Sequence, residues 1–457
     1  MPSTLAARAP ARIDLDGPAA HRLVPPLLLA AVAAGAGLVV LVWLHDTSST
    51  LHGFGDYLTA VVYVLGPPAG YAVVVLVVLM ARVPLLERRV GADRLARWHA
   101  FGGRYTLSLV LAHALFITWG YAVTAHAAPP REAVTLLLSY PDVLMASVAA
   151  GLLVAVGVVS ARAARARMRY ETWYYLHLYT YLAIALAFAH QFATGADFIS
   201  NPQARALWIL LYAGAGALLL WFRVVAPVRS ARRHRLRVYD VQREGRGVVS
   251  IVVIGDRMGE LSPRPGQFFR WRFLTRDGWW QSHPYSISAV PHDDRLRITI
   301  KALGDHSRLI GALVPGTRVV AEGPYGAFTA DRRTRRRILL LAGGIGITPI
   351  RALFESMPAG PGDVELLYRA NRRSDLVFTE ELVTIARERH AGLRFLIGPP
   401  GGPNDPLTAD RILAVVPDVT GRDVFLCGPP GMIAAAMAAL RGAGVPRRRI
   451  HHESFEF

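Results

Sequence analysis

Six stretches long and apolar enough to cross a bilayer crowd the first half of the chain, and none follows Arg229. They run roughly 23–44, 58–82, 98–120, 142–161, 172–193 and 204–226, against the ~20 helical residues that a hydrocarbon core of ~30 Å requires. The first is too long for a signal-peptide core and lacks a cleavage pattern. This asymmetry reconciles two figures that otherwise conflict: of 457 residues, 53% are hydrophobic, yet 18% are charged. One half belongs in lipid and the other in water, and at ~150 residues per domain the length allows three units. Intrinsic disorder and collagen-like structure are excluded by the same composition. Cys427 is the one cysteine, which leaves no disulfide, no CxxC zinc site and no thiolate-held iron–sulfur cluster.

The formal net charge is +18, and all 51 basic residues except Lys301 are arginine. That skew reads as genomic base composition, because no recognition motif for nucleic acid accompanies it. The position of the arginines carries more information. Arg82, Arg88, Arg89, Arg94 and Arg97 fill the second connection, and Arg162, Arg165, Arg167 and Arg169 fill the fourth. Arg229, Arg232, Arg233, Arg235 and Arg237 follow the sixth span, whereas 45–57 has none, 121–141 has only Arg131, and Arg205 stands at the edge of the last connection. Positive charge stays inside, so both termini are expected in the cytoplasm of an integral, multi-pass protein.

Ionisable residues within spans are costly and mark functional positions. The third window carries His99 and His113, and the fifth carries His177 and His190. Each pair is separated by ~20 Å along a helix, and the two helices run in the same direction. His99 therefore meets His177 at the inner level, and His113 meets His190 at the outer level. Facing imidazoles at two depths are what two six-coordinate b-type haems need, and without a CxxCH motif covalent attachment is excluded. The phase is imperfect: fourteen residues return to within ~40° of one face, but thirteen land ~140° away. The fifth helix must twist, bulge or approach its haems from different sides. Arg104, between the two levels, is placed at a haem propionate.

Beyond Arg235 the pattern becomes short and alternating. RLRVYDV, VVSIVVI, QFFRWRF, PYSIS, LRITIK and TRVVAEG read as strands of a small antiparallel barrel. From Arg337 the segments RILLLAG, VELLYRA, LRFLIG and DVFLCG alternate with helices from Pro349, Phe378 and Met432, as parallel α/β units do. The expected architecture is a six-helix transmembrane bundle at 23–228 after a cytoplasmic segment 1–22. An antiparallel β-barrel follows at 229–333 and a parallel-sheet α/β domain at 334–457.

These segments resemble the ferredoxin–NADP reductase superfamily, and with the histidine quartet they resemble its ferric reductase/NADPH oxidase branch, over roughly 58–226 and 232–457. The resemblance implies an FAD-binding strand in HPYSIS: His283, Pro284, Tyr285, Ser286, Ile287 and Ser288. Tyr285 would lie against the flavin ring, Ser286 near its reactive edge and His283 toward the ribityl–phosphate side; His in place of the commoner Arg fits this branch. KALGDHSRLI resembles a pyrophosphate-binding turn with Gly304, Asp305, His306 and Ser307. GPYGAF, with Gly323 and Gly326, resembles the loop that closes over the flavin.

GGIGITP contributes Gly343, Gly344, Gly346, Thr348 and Pro349 where a strand runs into a helix, a place suited to phosphate. The resemblance implies that CGPPGM, with Cys427, Gly428, Pro429 and Met432, lies beside the nicotinamide. Arg369, Arg372 and Arg373 suit the 2′-phosphate of NADPH, which is favoured over NADH. Phe457, or failing that Phe455, would cover the flavin until nicotinamide displaces it.

The implied activity is electron transfer from NAD(P)H through FAD, the inner haem and the outer haem to an extracytoplasmic acceptor, ferric chelate or oxygen. Two histidines per iron leave no open coordination position, so reduction is expected at the haem edge. In the oxidase branch a His one turn beyond the outer ligand and an Arg on the second helix accompany the oxygen site. Here the first position is Ile117 and the second has no Arg, which tips the balance toward ferric iron. Two other readings stay open: a membrane-anchored flavoprotein serving quinone or a partner protein, and a non-enzymatic haem carrier or channel with a nucleotide-sensing domain. Oligomeric state is not encoded legibly.

Overall fold

The structure, a computed structural model, describes residues 18–47, 53–140, 142–168, 170–194, 201–302, 310–401 and 405–454. Two compact units form. One comprises Pro26–Val83 with Leu95–Arg223; the other comprises Val224–Phe457 with Pro84–Arg94 and the segment up to Pro25.

The helical elements are α1 (Pro18–Thr47), α2 (Phe54–Met80), α3 (Pro84–Arg89), α4 (Ala92–Thr124), α5 (Pro129–Ser139), α6 (Val143–Ser160), α7 (Arg162–Arg165), α8 (Tyr170–Thr194) and α9 (Pro202–Leu220). A π-helical turn, Trp221–Val225, joins α9 to α10 (Ala226–His234). Five helical segments have the length and hydropathy of membrane spans: Leu23–Leu41, α2, α4, α6 and the run Pro202–His234. The fifth sequence window forms α8, a helix of 25 residues. Its tyrosines, two histidines and Gln191 leave it outside that set. α8 packs along α6. The short α5, which hydropathy alone leaves unmarked, begins on Pro129 and Pro130, where a missing N–H costs nothing.

In the other unit, β1 (Arg237–Gly245), β2 (Val248–Ile254) and β5 (Arg295–Lys301) form one antiparallel sheet, ordered β1-β2-β5. A second, ordered β4-β3-β6, contains β3 (Phe268–Phe273), β4 (His283–Ser286) and β6 (Val319–Tyr325). Isolated bridges Arg237↔Arg318 and Ile287↔Ile298 connect them. Alternation along the strands sends Ile251, Val253, Phe269, Trp271, Ile287 and Ile298 into a shared core, where each is fully buried. Burial of each such side chain is worth roughly 1.5–3 kcal/mol.

The five-stranded parallel sheet is ordered β11-β10-β7-β8-β9, from β7 (Ile338–Gly343), β8 (Val364–Ala370), β9 (Gly392–Ile397), β10 (Asp423–Gly428) and β11 (Ile450–Ser454). Its helices are α11 (Ile347–Ser356), α12 (Thr379–Glu388), α13 (Ala409–Val415) and α14 (Pro430–Gly442). Ile338, Leu340 and Ala342 face α11 and α12, while Leu339 and Leu341 face α13 and α14. A strand covered on both faces has no polar side, which is why ILLLAG is continuously apolar.

Candidate functional site

In the membrane-type unit, α4 and α8 bring the histidines into pairs. The rings of His99 and His177 have centroids 5.9 Å apart, at an interplanar angle of 68°. Two imidazoles sharing one metal at ~2 Å each would sit at about that spacing. His190 lies close enough to His113 for their charges to interact. Among the described residues no group of three or more His, Cys, Asp or Glu converges. Paired donors of this kind suit an iron already held by a porphyrin rather than a bare ion.

The outward-facing ring nitrogens are also fixed. His99 Nδ1 is 3.2 Å from the Leu76 carbonyl oxygen, and His113 Nδ1 is 3.2 Å from that of Val62. From 99 to 113 is fourteen residues, and so is 62 to 76, so one antiparallel register of α2 against α4 serves both levels. A carbonyl on Nδ1 selects the tautomer that leaves Nε2 for a metal. Gly66 makes room: a Cβ there would lie 3.0 Å from His113 Cε1.

His177 differs, with Nδ1 3.5 Å from Ser160 Oγ, which itself accepts from Trp173 Nε1 at 3.2 Å. Beside His190, Gln191 accepts from Trp208 Nε1 and donates to Tyr212 Oη, which donates to the Gly70 carbonyl at 3.2 Å. The sequence reading missed this brace, since its members are scattered over three helices. α8 runs without a break from Tyr170 to Thr194, so no bulge absorbs the thirteen-residue phase difference. Arg104 is exposed, with its guanidinium 5.8 Å from the Phe101 ring centroid.

In the other unit, β4 lies antiparallel to β3, pairing Phe268 with Ser286, Phe269 with Tyr285, Arg270 with Pro284 and Trp271 with His283. Trp271 Nε1 donates to the Tyr285 carbonyl at 3.0 Å, and the rings of His283 and Tyr285 are nearly parallel. Ser286 is buried, and its hydroxyl has no hydrogen-bond partner among the described residues. An orphaned hydroxyl of this kind costs stability unless a ligand satisfies it, and it fits a flavin edge. Burial pushes the Tyr285 phenol well above its ordinary range, so it stays protonated. Ile287 and Ser288 are fully buried, with Ser288 Oγ accepting from Thr299 Oγ1 at 2.8 Å. Gly326 has φ +96°, a conformation open to glycine, with Phe268 Cδ1 3.2 Å from where a Cβ would project. Gly323 abuts Phe269 in the same way, at 2.8 Å.

The two glycine motifs of the α/β domain meet at the carboxyl ends of neighbouring strands. Cys427 pairs with Ala342, and Gly343 with Arg369. A Cβ on Gly346 would fall 2.3 Å from the Cys427 carbonyl oxygen, and one on Gly343 or Gly428 would strike Met432 Sδ. Close approach of the two motifs is therefore the reason for these glycines. Gly344, with φ +52°, opens into free space, and Thr348 and Pro349 are buried in the first turn of α11. Pro429 caps α14. Cys427 is buried, and burial raises its thiol well above the usual range. Arg369 is buried and donates to the Gly398 carbonyl at 3.2 Å, whereas Arg372 and Arg373 are exposed in the turn beyond it. Gly304, Asp305, His306, Ser307, Phe455 and Phe457 lie outside the described residues.

One residue here escaped the sequence reading. Glu453 stands beside Cys427 in the β10–β11 register, buried, with Oε1 3.4 Å from a Cβ position on Gly326. Burial, with the negative charge of Asp93, pushes its carboxyl up to about 8 against the opposing pull of Arg332. Its placement in the terminal HHESFEF strand was the available signal.

Three family profiles match in order along the chain: a ferric reductase like transmembrane component over 66–188, an FAD-binding domain over 235–329 and an oxidoreductase NAD-binding domain over 340–438. This is a ferric reductase/NADPH oxidase-like architecture. The chain is 34% identical over 200 residues to the ferredoxin reductase component of 3-ketosteroid-9-alpha-monooxygenase from Mycolicibacterium smegmatis, covering 42% of this chain and 55% of that one. It is 28% identical to an NADPH oxidoreductase of Mycobacterium tuberculosis, covering 51% and 63%. It thus spans little more than half the length of these curated relatives. Among solved structures, the ferredoxin reductase of carbazole 1,9a-dioxygenase aligns at 21% identity over 49% of this chain and 69% of that one, with a TM-score of 0.41. The domains present are those of a membrane-linked FAD/NAD(P)H oxidoreductase.

Proposed function

We propose that the chain carries electrons from cytoplasmic NAD(P)H through FAD and two b-type haems to an acceptor on the opposite side of the membrane. The observation that carries this reading is the doubled histidine site. His99 and His177 stand at a spacing suited to one shared metal, and α2 offers a carbonyl to His99 and to His113 in a single register. His99 with His177 would hold the inner haem, His113 with His190 the outer, and Arg104 would face a propionate.

Haem and flavin supply the redox chemistry when bound; the chain positions, insulates and tunes them. Ser286 would offer its hydroxyl to the flavin edge, with Tyr285 against the ring and His283 toward the ribityl chain; Pro284, Ile287 and Ser288 set the strand. Gly323 and Gly326 let the loop close over it. Gly304, Asp305, His306 and Ser307 would take the pyrophosphate of FAD. Gly343, Gly344, Gly346 and Thr348 would bring backbone N–H groups to the phosphates of NAD(P)H, while Pro349, which has no N–H, would set the first turn of the helix behind them. Cys427, Gly428, Pro429 and Met432 would border the nicotinamide, and Phe457 would shield the flavin until it arrives. Arg369, Arg372 and Arg373 favour NADPH.

We assign six spans, counting α8, with both termini cytoplasmic, and domain limits of 23–228, 229–333 and 334–457, the two antiparallel sheets forming one barrel. Ile117, one turn beyond His113, supports ferric chelate over oxygen as the acceptor. The test uses proteoliposomes loaded with FAD, haem and NADPH. External ferric chelate is expected to be reduced without oxygen consumption. Reduction of external cytochrome c that superoxide dismutase abolishes would assign oxygen instead, and no external reduction of either would refute the transmembrane relay.

A further inference from the structure

α9, the π-helical turn and α10 carry the chain without interruption from the apolar stretch at Pro202 to His234, and Arg235 ends the helix in the left-handed conformation. The chain then enters the antiparallel sheets at Leu236, whose carbonyl accepts from the Val319 N–H at 2.9 Å. Next to it, Arg237 and Arg318 stand directly opposite each other in an antiparallel bridge. Both are exposed, and neither has a carboxylate partner among the described residues. Like charges in that relation repel, and an anion between them would relieve the repulsion.

Exposed apolar side chains stand on the two loops whose ends are tied to this pair and to its strand. Leu274, whose N–H donates to the Arg318 carbonyl at 2.9 Å, begins the 274–282 loop and is 42% exposed; Trp279 on that loop is 59% exposed. Val314 is 65% exposed, in a loop held to β1 by the Gly316 N–H on the Val238 carbonyl. Tryptophan with arginine, apolar body beside positive charge, is the composition that membrane–water interfaces favour.

We propose that this rim (Arg237, Arg318, Leu274, Trp279 and Val314) rests on a phospholipid surface and takes anionic headgroups between the two arginines. The occupant follows from continuity and charge: the rim begins where a span-length helix ends, and its bare cations complement an anionic leaflet. The contact does not depend on which acceptor the chain reduces, nor on electron transfer at all.

The single native cysteine is buried, so an engineered one can be labelled selectively. Trp279→Cys, and separately Val314→Cys, would be labelled with an environment-sensitive dye in the full chain, reconstituted in nanodiscs with and without phosphatidylglycerol. Arg441→Cys, exposed on α14, serves as the reference. At both rim positions, quenching by headgroup-nitroxide phospholipid is expected, with iodide quenching severalfold weaker than at the reference. Arg318→Glu should lessen the lipid quenching in phosphatidylglycerol discs. Iodide access equal to the reference would overturn the proposal. Protection from iodide without lipid quenching would also overturn it, since protein would then cover the rim.

Discussion

At the scale of single residues, the decisive features are atoms whose partners or surroundings are unusual. Glu453 is held neutral by burial and by nearby negative charge, with its carboxyl raised from 4.5 to about 8. In the unfolded chain it ionises at an ordinary pH while the folded form keeps its proton. Its contribution to stability is thus fully present below about 4.5 and is lost as pH rises through about 8. The thermal midpoint of the unit that holds the parallel sheet, measured in the full chain, should fall over that window, and Glu453→Gln should flatten the fall. An unchanged slope in the Gln variant would refute the assignment. Gly66 presents a steric counterpart. Gly66→Ala places a methyl group 3.0 Å from His113 Cε1, so the ring must shift away from the Val62 carbonyl. Redox titration of the haem spectrum should then show one component displaced and the other unmoved.

At the scale of elements, an ionic cluster ties the antiparallel sheets to the α/β domain. Arg297 on β5 makes two 2.8 Å hydrogen bonds to Glu381 on α12 and donates to the Ser288 carbonyl at 3.1 Å. Arg351 on α11 adds a 2.7 Å bond to the same carboxylate. Two guanidiniums hold the Glu381 carboxyl below its usual range, overcoming the opposing effect of burial. The side chain is 35% exposed, so solvent weakens the cluster. Glu381→Gln should cost roughly 1–2 kcal/mol, below the 3–5 of a fully buried pair. Chemical denaturation of the full chain followed by near-UV circular dichroism measures this, and Glu381→Asp should recover part of it. Here the strands themselves were readable in the sequence, but the cluster was not: 84 residues separate Arg297 from Glu381, and no local pattern marks either.

At the scale of the whole molecule, the proposed function divides the labour between a unit that would take hydride from NAD(P)H and a bundle that would conduct electrons onward. His113→Leu separates them. With the outer pair broken, NADPH should still bleach the flavin at the rate of the unaltered chain, while reduction of external chelate by proteoliposomes falls at least ~10-fold, beyond the ~1.4 kcal/mol that accompanies such a factor. Unchanged external reduction would mean that the outer pair lies off the electron path.

Apolar length, strand alternation and glycine-rich turns determined by themselves that a set of membrane-type helices precedes a group of antiparallel strands and then a parallel α/β sheet. These patterns are legible because hydrophobic burial and backbone geometry repeat along the chain with the period of the element they build. The composition measure alone falls short at α8, whose polar side chains include His177 and His190. Only the tertiary structure decided which carbonyl fixes each histidine, that the GGIGITP and CGPPGM glycines exist to let two strand ends touch, and that Glu453 is sealed from water. Those outcomes depend on contacts between residues distant in sequence, whose energies exist only once the elements have packed and leave no periodic trace beforehand.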